Sequence, residues 1–186
     1  GYDTLNEPWA GTEGLSCANP AGCPSFESGP LTVYAARMAS AIHAVDPKAI
    51  VFGEPELFFD FGAETALGPF GSSGPTAFSF HLYCLPESEY ALNTESEPEC
   101  PTTDHATLGY AISEGHAISS PPFLSEFGAT DHLTVLERDT DEADSYMLGW
   151  TEWTFYGADP CCARPDEGLV YNISKPPDAV NVKQAK

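Results

Sequence analysis

Strand-like and helical segments alternate along most of this chain, and this alternation is the feature that most restricts its fold. Short apolar runs typical of buried strands lie at 2–6, 50–52, 77–83, 122–127 and 150–156. Between them, apolar residues recur at helical spacing at 31–45, from 103 or 104 to 118, and at 133–148, where we expect a break midway. Strands that alternate with helices in this way predict an α/β fold with a parallel sheet.

Polar residues follow several of the predicted strands, which suits the later part of a (β/α)8 barrel, whose active sites lie at the carboxyl ends of the strands. A complete barrel needs about 250 residues, and the chain has 186. We therefore predict that residues 1–186 are a single domain, the C-terminal portion of a TIM barrel with approximately strands 4 to 8, and we expect this piece alone to be poorly soluble or inactive. The alternative is a small doubly wound sheet, but that fold usually contains a glycine-rich phosphate loop, and the sequence has none.

The chain is strongly acidic, with 28 acidic and 7 basic residues and a formal net charge of −21. Such a charge repels phosphate groups, so nucleic acids and anionic membrane surfaces are disfavoured as partners. No apolar run approaches the roughly 20 residues that span a bilayer. We therefore predict no integral membrane segment.

The cysteines indicate disulfide bonds and secretion. Cys17 and Cys23 flank one Pro/Gly loop, and Cys84 and Cys100 flank a Pro/Glu-rich loop, so a disulfide could close each loop. Six cysteines allow 15 connectivities, and the sequence leaves the pairing open. The adjacent Cys161 and Cys162 have no assigned partner, and buried free thiols are the alternative for all six. Disulfides imply an oxidising compartment, so we predict an extracellular protein. No group of residues has the spacing of a zinc site, and we expect neither a metal nor a cofactor.

Two glutamates stand out because each lies at the end of an apolar, strand-like run. Glu7 lies in LNEPW (5–9) and Glu126 in FLSEFG (123–128). A glycosidase needs two such acids, one to protonate the leaving oxygen and one to attack or stabilise the sugar cation. We predict Glu7 and Glu126 as the catalytic pair, with carboxyl groups about 5–5.5 Å apart if the reaction retains configuration. The alternative is that both are ordinary solvated carboxylates.

Four further side chains are candidates for binding the sugar. Asn6 and Glu7 would point to opposite sides of a regular strand, so both reach one site only if the strand bends or ends there. His81 and Tyr83 are two residues apart and share a face. Trp153 offers a flat apolar face on which a sugar can stack. The alternative for each is structural: a turn-forming asparagine, or a histidine, tyrosine or tryptophan of the core.

The motifs, taken in order, resemble those of glycoside hydrolase family 5. They are NEP (6–8), HLY (81–83), EFG (126–128) and Trp153. Three longer strings are similar to the endoglycoceramidase branch of that family: GYDTLNEPW (1–9), FHLYC (80–84) and GLVYNISKPP (168–177). The resemblance covers nearly the whole chain and implies a TIM barrel, a retaining mechanism and no metal or cofactor.

The resemblance also assigns roles to the candidate residues. It makes Glu7 the general acid/base and Glu126 the nucleophile, with Asn6 hydrogen-bonded to the sugar 2-hydroxyl. The family also uses an arginine and a histidine from earlier strands, which have no counterpart in this sequence. The substrate-binding residues that it implies are Asn6, His81, Tyr83 and Trp153.

The predicted function is therefore that of a retaining β-glycosidase, with a glycolipid or oligosaccharide as substrate. The branch implies cleavage of the bond between glycan and ceramide. A β-glucanase or β-mannanase of the same family and a non-catalytic carbohydrate-binding protein are the alternatives. One apolar group of residues either lines a slot for a lipid tail or covers the core: Leu57, Phe58, Phe59, Phe61 and Phe70.

Overall fold

The computed structural model describes residues 1–71, 73–84, 100–130, 132–155 and 168–170. Within these ranges the strands are β1 (Tyr2–Asp3), β2 (Val51–Gly53), β3 (Thr76–Leu82) and β4 (Pro122–Phe127). The α-helices are α1 (Pro24–Phe26), α2 (Thr32–Val45), α3 (Cys100–Ala117) and α4 (Leu133–Ser145). Shorter helical turns occupy Gly11–Cys17, Glu27–Leu31 and Leu57–Phe61.

The strands form one sheet in the order β1-β2-β3-β4. β1 is parallel to β2, with Tyr2 opposite Val51, and β2 is parallel to β3, with Val51 opposite Thr76. Because consecutive strands are neighbours and helices connect them, the topology is that of successive βα units of a barrel. In the described part of the chain, no helix is both long and apolar enough to cross a bilayer.

Backbone proximity divides the chain into two compact units. The first comprises Gly1–His81 and His105–Phe123, and the second comprises Leu82–Asp104 and the residues from 124 onward. The single-domain assignment for residues 1–186 stays a prediction.

Phenylalanines fill the core of the first unit. Phe59, Phe70, Phe78 and Phe80 are each at most 1% exposed, and the ring of Phe59 meets Phe78 and Phe80 edge-on at centroid distances of 5.5 and 6.0 Å. A Cβ at Gly53 would come within 2.7 Å of the Phe70 ring, so β2 needs a glycine at this position. Because side chains alternate along a strand, the packing of Phe78 and Phe80 on one face of β3 leaves the opposite face for polar side chains.

A buried carboxylate fixes the path of the chain after β2. Glu27, in the turn before α2, is 1% exposed. Its Oε1 accepts hydrogen bonds from the Glu56 amide (2.9 Å) and the Thr65 hydroxyl (2.7 Å), and its Oε2 accepts one from the Ala66 amide (2.8 Å). Burial raises the pKa of Glu27, and these three hydrogen bonds oppose that shift. One side chain therefore anchors both ends of the 56–66 segment.

The second unit contains α4, and an arginine of this helix forms ion pairs with two buried acids. Arg138 donates to Asp104 at 2.6 Å and to Asp139 at 2.9 Å, and both acids are at most 3% exposed. The helix is continuous over Leu133–Ser145, so the predicted midway break is wrong. Within the helix, Asp139 is buried and paired with Arg138.

The predicted strand at 150–156 forms only two isolated parallel bridges in its described part. They join Trp150 to Leu124 and Trp153 to Gly128. The sequence-based assignment of a continuous strand is therefore wrong for residues 150–155, although the segment does follow β4 in parallel. Residue 156 lies outside the described part.

Two disulfides close the two loops that the sequence offered as candidates. Cys17 pairs with Cys23 and Cys84 pairs with Cys100, with Cα–Cα distances of 4.9 and 5.6 Å. The second bond links the residue after Tyr83 to the start of α3. Cys161 and Cys162 lie outside the described residues.

Candidate active site

The chain turns sharply at Glu7. β1 ends at Asp3, and Asn6 and Glu7 form a bend, with Glu7 in the left-handed region at a φ of 44°. A non-glycine residue adopts that region only when its surroundings hold it there. The strand thus ends before the NEP motif, which is the condition under which neighbouring Asn6 and Glu7 can serve one site. Asn6 is exposed and Glu7 is half-buried.

His81 is the centre of a buried charge cluster in the first unit, which we call the His81 cluster (Glu7, Glu54, Asp60 and His81). The His81 Nδ1 lies 3.2 Å from Glu7 Oε1 and 3.7 Å from Asp60 Oδ2, and Nε2 lies 3.1 Å from Glu54 Oε1. His81 is 2% exposed. Both ring nitrogens therefore face acids from the ends of β1 and β2 and from the turn that follows.

The surroundings of His81 fix its charge. Burial by itself lowers the pKa of His81, but the contacts with Glu54 and Glu7 and the charge of Asp60 outweigh burial and raise it to about 11. Burial raises the pKa of Asp60 well above its usual range, although the His81 charge opposes this. At neutral pH the cluster therefore contains an imidazolium.

Asp3 and Ser79 extend this polar surface in the first unit. Ser79 donates to Asp3 Oδ2 at 3.1 Å. Asp3 as a whole residue is exposed, but partial desolvation of its carboxyl group and the neighbouring Glu54 charge raise the pKa of Asp3 to about 6. Ser79 and His81 share the polar face of β3 because they are two residues apart.

Tyr83 and Glu126 meet in the second unit. The Tyr83 hydroxyl donates to Glu126 Oε1 at 2.7 Å. β4 presents Glu126 one residue before its end, and both side chains are half-buried. A phenol donating to a carboxylate at this distance forms a charge-assisted hydrogen bond that orients the acid and favours its ionised form.

Trp153 lies beside the end of β4. Its amide donates to the Phe127 carbonyl at 2.7 Å, and its carbonyl accepts from the Ala129 amide at 2.9 Å. Gly128 has a φ of 108°, and a Cβ there would lie 2.7 Å from the Trp153 carbonyl oxygen, so this bridge needs a glycine. Trp153 is half-buried, which leaves part of its indole accessible.

Glu152, next to Trp153, has an unusual environment. One of its oxygens, Oε1, is buried without a hydrogen-bond partner among the described residues. Desolvation raises the pKa of Glu152 to about 7. The side chain therefore exchanges a proton near neutral pH.

Three half-exposed aromatic rings form a surface close to Glu7 in the chain, the aromatic surface (Trp9, Phe58 and Phe61). Trp9 is 43% exposed, and its ring centroid lies 5.9 Å from Phe58, which lies 6.4 Å from Phe61. The Leu57 amide donates to the Pro8 carbonyl at 3.1 Å, which ties this turn to the NEP motif.

The five residues proposed either to line a lipid slot or to cover the core fall into two groups. Phe59 and Phe70 belong to the core. Leu57, Phe58 and Phe61 are half-buried, and Phe58 and Phe61 belong to the aromatic surface together with Trp9, which the sequence did not suggest for this role.

Sequence reasoning also missed Glu54 and Asp60. Glu54 is the first residue after β2, and the carboxyl ends of neighbouring parallel strands meet at one edge of a sheet. This position was therefore a usable signal. Asp60 lies in an apolar turn (57–61), where its sequence neighbours suggest only packing.

Comparisons with known proteins agree with this architecture. No family model matches the chain. Its sequence is 29% identical over 165 residues to endoglycoceramidase I from Rhodococcus hoagii (strain 103S), covering 83% of this chain and 32% of that protein. The chain thus spans about a third of the length of this relative.

Solved structures give the same result for the fold. The complex of endo-glycoceramidase II from Rhodococcus sp. with ganglioside GM3 superposes with a TM-score of 0.72 at 24% identity, over 88% of this chain and 36% of that one. The fold is part of a (β/α)8 barrel. A hyperthermophilic endo-β-1,4-glucanase in complex with substrate gives a TM-score of 0.58 at 16% identity, over 83% of this chain and 55% of that one. The predicted α/β class and partial barrel are therefore confirmed.

Proposed function

We propose that the protein is a retaining β-glycosidase of glycoside hydrolase family 5 and the endoglycoceramidase type. In this proposal it hydrolyses the bond between the glycan and the ceramide of glycosphingolipids. Because the chain covers only 32% of its endoglycoceramidase relative, the proposal concerns the full-length protein.

The observation that carries the proposal is the pair of glutamates at strand ends, each with a polar partner. Glu7 follows β1 and lies 3.2 Å from His81 Nδ1. Glu126 ends β4 and accepts from Tyr83 at 2.7 Å. Surface glutamates rarely have such partners, whereas catalytic carboxylates need a fixed orientation. The sequence similarity to an endoglycoceramidase supports the same reading.

In the first step of the proposed reaction, the Glu126 carboxylate attacks the anomeric carbon while Glu7 protonates the leaving oxygen. The bond from the anomeric carbon to the aglycone oxygen breaks, and an ester bond to Glu126 forms. Tyr83 orients the nucleophile through its hydrogen bond. In this step Glu7 gives its proton to the ceramide alcohol.

In the second step, Glu7 takes a proton from a water molecule, which attacks the anomeric carbon and releases the glycan. Two displacements at one carbon restore its configuration. Trp153 supports the sugar by stacking, and Asn6 donates to the 2-hydroxyl. This chemistry requires no metal or cofactor.

The aromatic surface is the proposed contact for the lipid part of the substrate. Trp9, two residues after Glu7, is 43% exposed, and together with Phe58 and Phe61 it presents apolar rings to solvent. A ceramide needs apolar surface next to the acid that protonates its oxygen. The two disulfides support the proposal that the protein acts outside the cell.

The test compares three variants of the full-length protein on two substrates: a glycosphingolipid and a dinitrophenyl β-glycoside of the same sugar. Glu126→Gln should abolish turnover of both. Glu7→Ala should lower glycosphingolipid cleavage by about 10²–10⁴-fold but spare bond cleavage in the dinitrophenyl substrate, whose leaving group needs no proton. Glu13→Gln, at an exposed position, is the control and should behave as wild type.

Three outcomes would contradict the proposal in different ways. Undiminished activity of Glu126→Gln removes the nucleophile assignment. Faster release of sugar from a soluble β-glucan or β-mannan than from the glycolipid favours the glucanase or mannanase alternative. Sugar binding without hydrolysis by the wild type, unchanged in both glutamate variants, favours the non-catalytic alternative.

A further inference from the structure

Glu54 is a buried acid at the end of β2. It is 6% exposed and follows Gly53 directly. A buried carboxylate costs several kcal/mol unless hydrogen bonds or opposite charges compensate it. Its contacts therefore explain why an acid is present at this position.

The two oxygens of Glu54 contact two different residues of the His81 cluster. Oε2 accepts a hydrogen bond from the backbone amide of Glu7 at 2.7 Å. Oε1 lies 3.1 Å from His81 Nε2. The other ring nitrogen of His81 then lies 3.2 Å from Glu7 Oε1. Glu54 thus reaches Glu7 twice, once at its backbone and once through the imidazole ring.

The backbone contact occurs where the chain is strained. Glu7 has a φ of 44°, a strained conformation for a non-glycine residue. A hydrogen bond from the strained amide to a buried, charged acceptor stabilises that conformation. Glu54 therefore contributes the interaction that holds Glu7 in this conformation.

We propose that Glu54 is a positioning residue for Glu7: it holds the Glu7 backbone in the left-handed conformation and fixes the Glu7 carboxyl group through His81. The proposal adds a role to the acid/base assignment, and its catalytic part rests on the proposed function. Glu54 contacts no substrate in this proposal and acts only through the other two residues.

The neighbouring acids are poorer candidates for this role. Asp60 lies 3.7 Å from His81 Nδ1, beyond a good hydrogen-bond distance. Asp3 accepts from Ser79 of β3. Glu54 contacts both the Glu7 amide and His81 Nε2, the two groups that determine where the acid/base points.

The first test is Glu54→Gln in the full-length protein. The amide keeps an oxygen that can accept from the Glu7 amide, but it lacks the negative charge that faces His81 Nε2 at 3.1 Å. We expect kcat for an alkyl β-glycoside to fall 10- to 100-fold with KM changed less than 3-fold. For a dinitrophenyl β-glycoside of the same sugar, release of dinitrophenolate in the first turnover should change less than 3-fold, because this leaving group needs no proton and the step precedes the attack of water.

Glu27→Gln is the matched control for loss of stability. This variant also replaces a buried carboxylate that accepts backbone hydrogen bonds in the first unit. In the described part of the structure, Glu27 contacts neither Glu7 nor His81. The folded variant should cleave both glycosides within 3-fold of wild type. Equal losses on both glycosides in Glu54→Gln would indicate a merely structural role and overturn the proposal.

The second test needs no hydrolysis. Ring-nitrogen NMR of the wild type, with the His81 signal assigned by its loss in His81→Asn, should show both nitrogens protonated at pH 8. A neutral His81 at pH 7 would overturn the proposal, because the ring would then carry no charge to pair with the two acids. If the wild type cleaves no glycoside, the proposed function fails. The NMR signal of His81 still decides whether Glu54 and Glu7 hold the imidazole ring between them.

Discussion

Removing the Tyr83 hydroxyl should slow the proposed reaction by an amount that the structure allows us to calculate. The hydroxyl donates to Glu126 Oε1 at 2.7 Å, and hydrogen bonds to charged groups contribute about 1.5–3 kcal/mol. Both side chains are half-buried, so we use the lower part of that range, about 1.5–2 kcal/mol. Each 1.36 kcal/mol is a factor of ten in rate, and Tyr83→Phe should therefore lower kcat about 10- to 30-fold.

The pH dependence gives a second, independent readout of the same variant. The phenol favours the ionised form of the Glu126 carboxylate, so its loss should move the acid limb of the kcat/KM profile to higher pH. Steady-state hydrolysis of a dinitrophenyl β-glycoside between pH 3 and 9 measures both effects. That substrate isolates the nucleophile because its leaving group needs no protonation.

The control is Tyr34→Phe, which also removes a phenol hydrogen bond, in this case to the Thr4 carbonyl at 2.7 Å. It should lose a little stability and keep its kcat and its pH profile. A Tyr83→Phe protein that folds, keeps kcat within 2-fold and shows an unmoved acid limb would refute the reasoning, because the hydrogen bond would then have no role in the reaction.

Two further predictions concern stability. Glu27→Gln should lower the free energy of unfolding by about 1–3 kcal/mol, because an amide cannot accept every hydrogen bond that this buried carboxylate accepts. Urea denaturation checks this, and an unfolding midpoint equal to that of the exposed-site control Glu64→Gln would contradict it. Desolvation raises the pKa of Glu152 from 4.5 to about 7, so the folded state retains a proton that the unfolded chain releases. The resulting loss of stability develops as the pH rises from 4.5 to 7 and is complete above pH 7. Glu152→Gln should therefore raise the free energy of unfolding by about 1 kcal/mol at pH 8, after discounting for partial exposure, and leave it unchanged at pH 4. Thermal melts at both pH values test this, with Glu137→Gln at an exposed helix position as the control. An equal gain in stability at both pH values would show that ionisation is not the cause.

The strands of the central sheet could be predicted from the sequence because their signals are local. β3 and β4 are apolar runs bounded by turn residues, and the predictions 77–83 and 122–127 differ from the structure by at most one residue. The two disulfide pairings were accessible for a similar reason, since each pair flanks one loop. The barrel class followed from the order of these elements.

The features that the sequence did not reveal depend on partners far away in the chain. In α4, for which we predicted a break, Arg138 pairs with Asp104, 34 positions away. Nothing in the sequence around Glu54 indicates that its carboxylate is buried, and the backbone amide that donates to it belongs to Glu7, 47 positions away. Burial of a charge is decided by the partner that compensates it, and the sequence near the charge does not contain that partner.

The anchoring by Glu27 has a consequence for how this part of the molecule can change in evolution. Two of the three groups that it binds are peptide amides, at Glu56 and Ala66, and every residue type except proline supplies such a group. The outward-facing rings between these two anchor points can therefore be exchanged for other side chains without rerouting the chain. Descendants of one ancestral protein could in this way come to accept different aglycones on an unchanged scaffold.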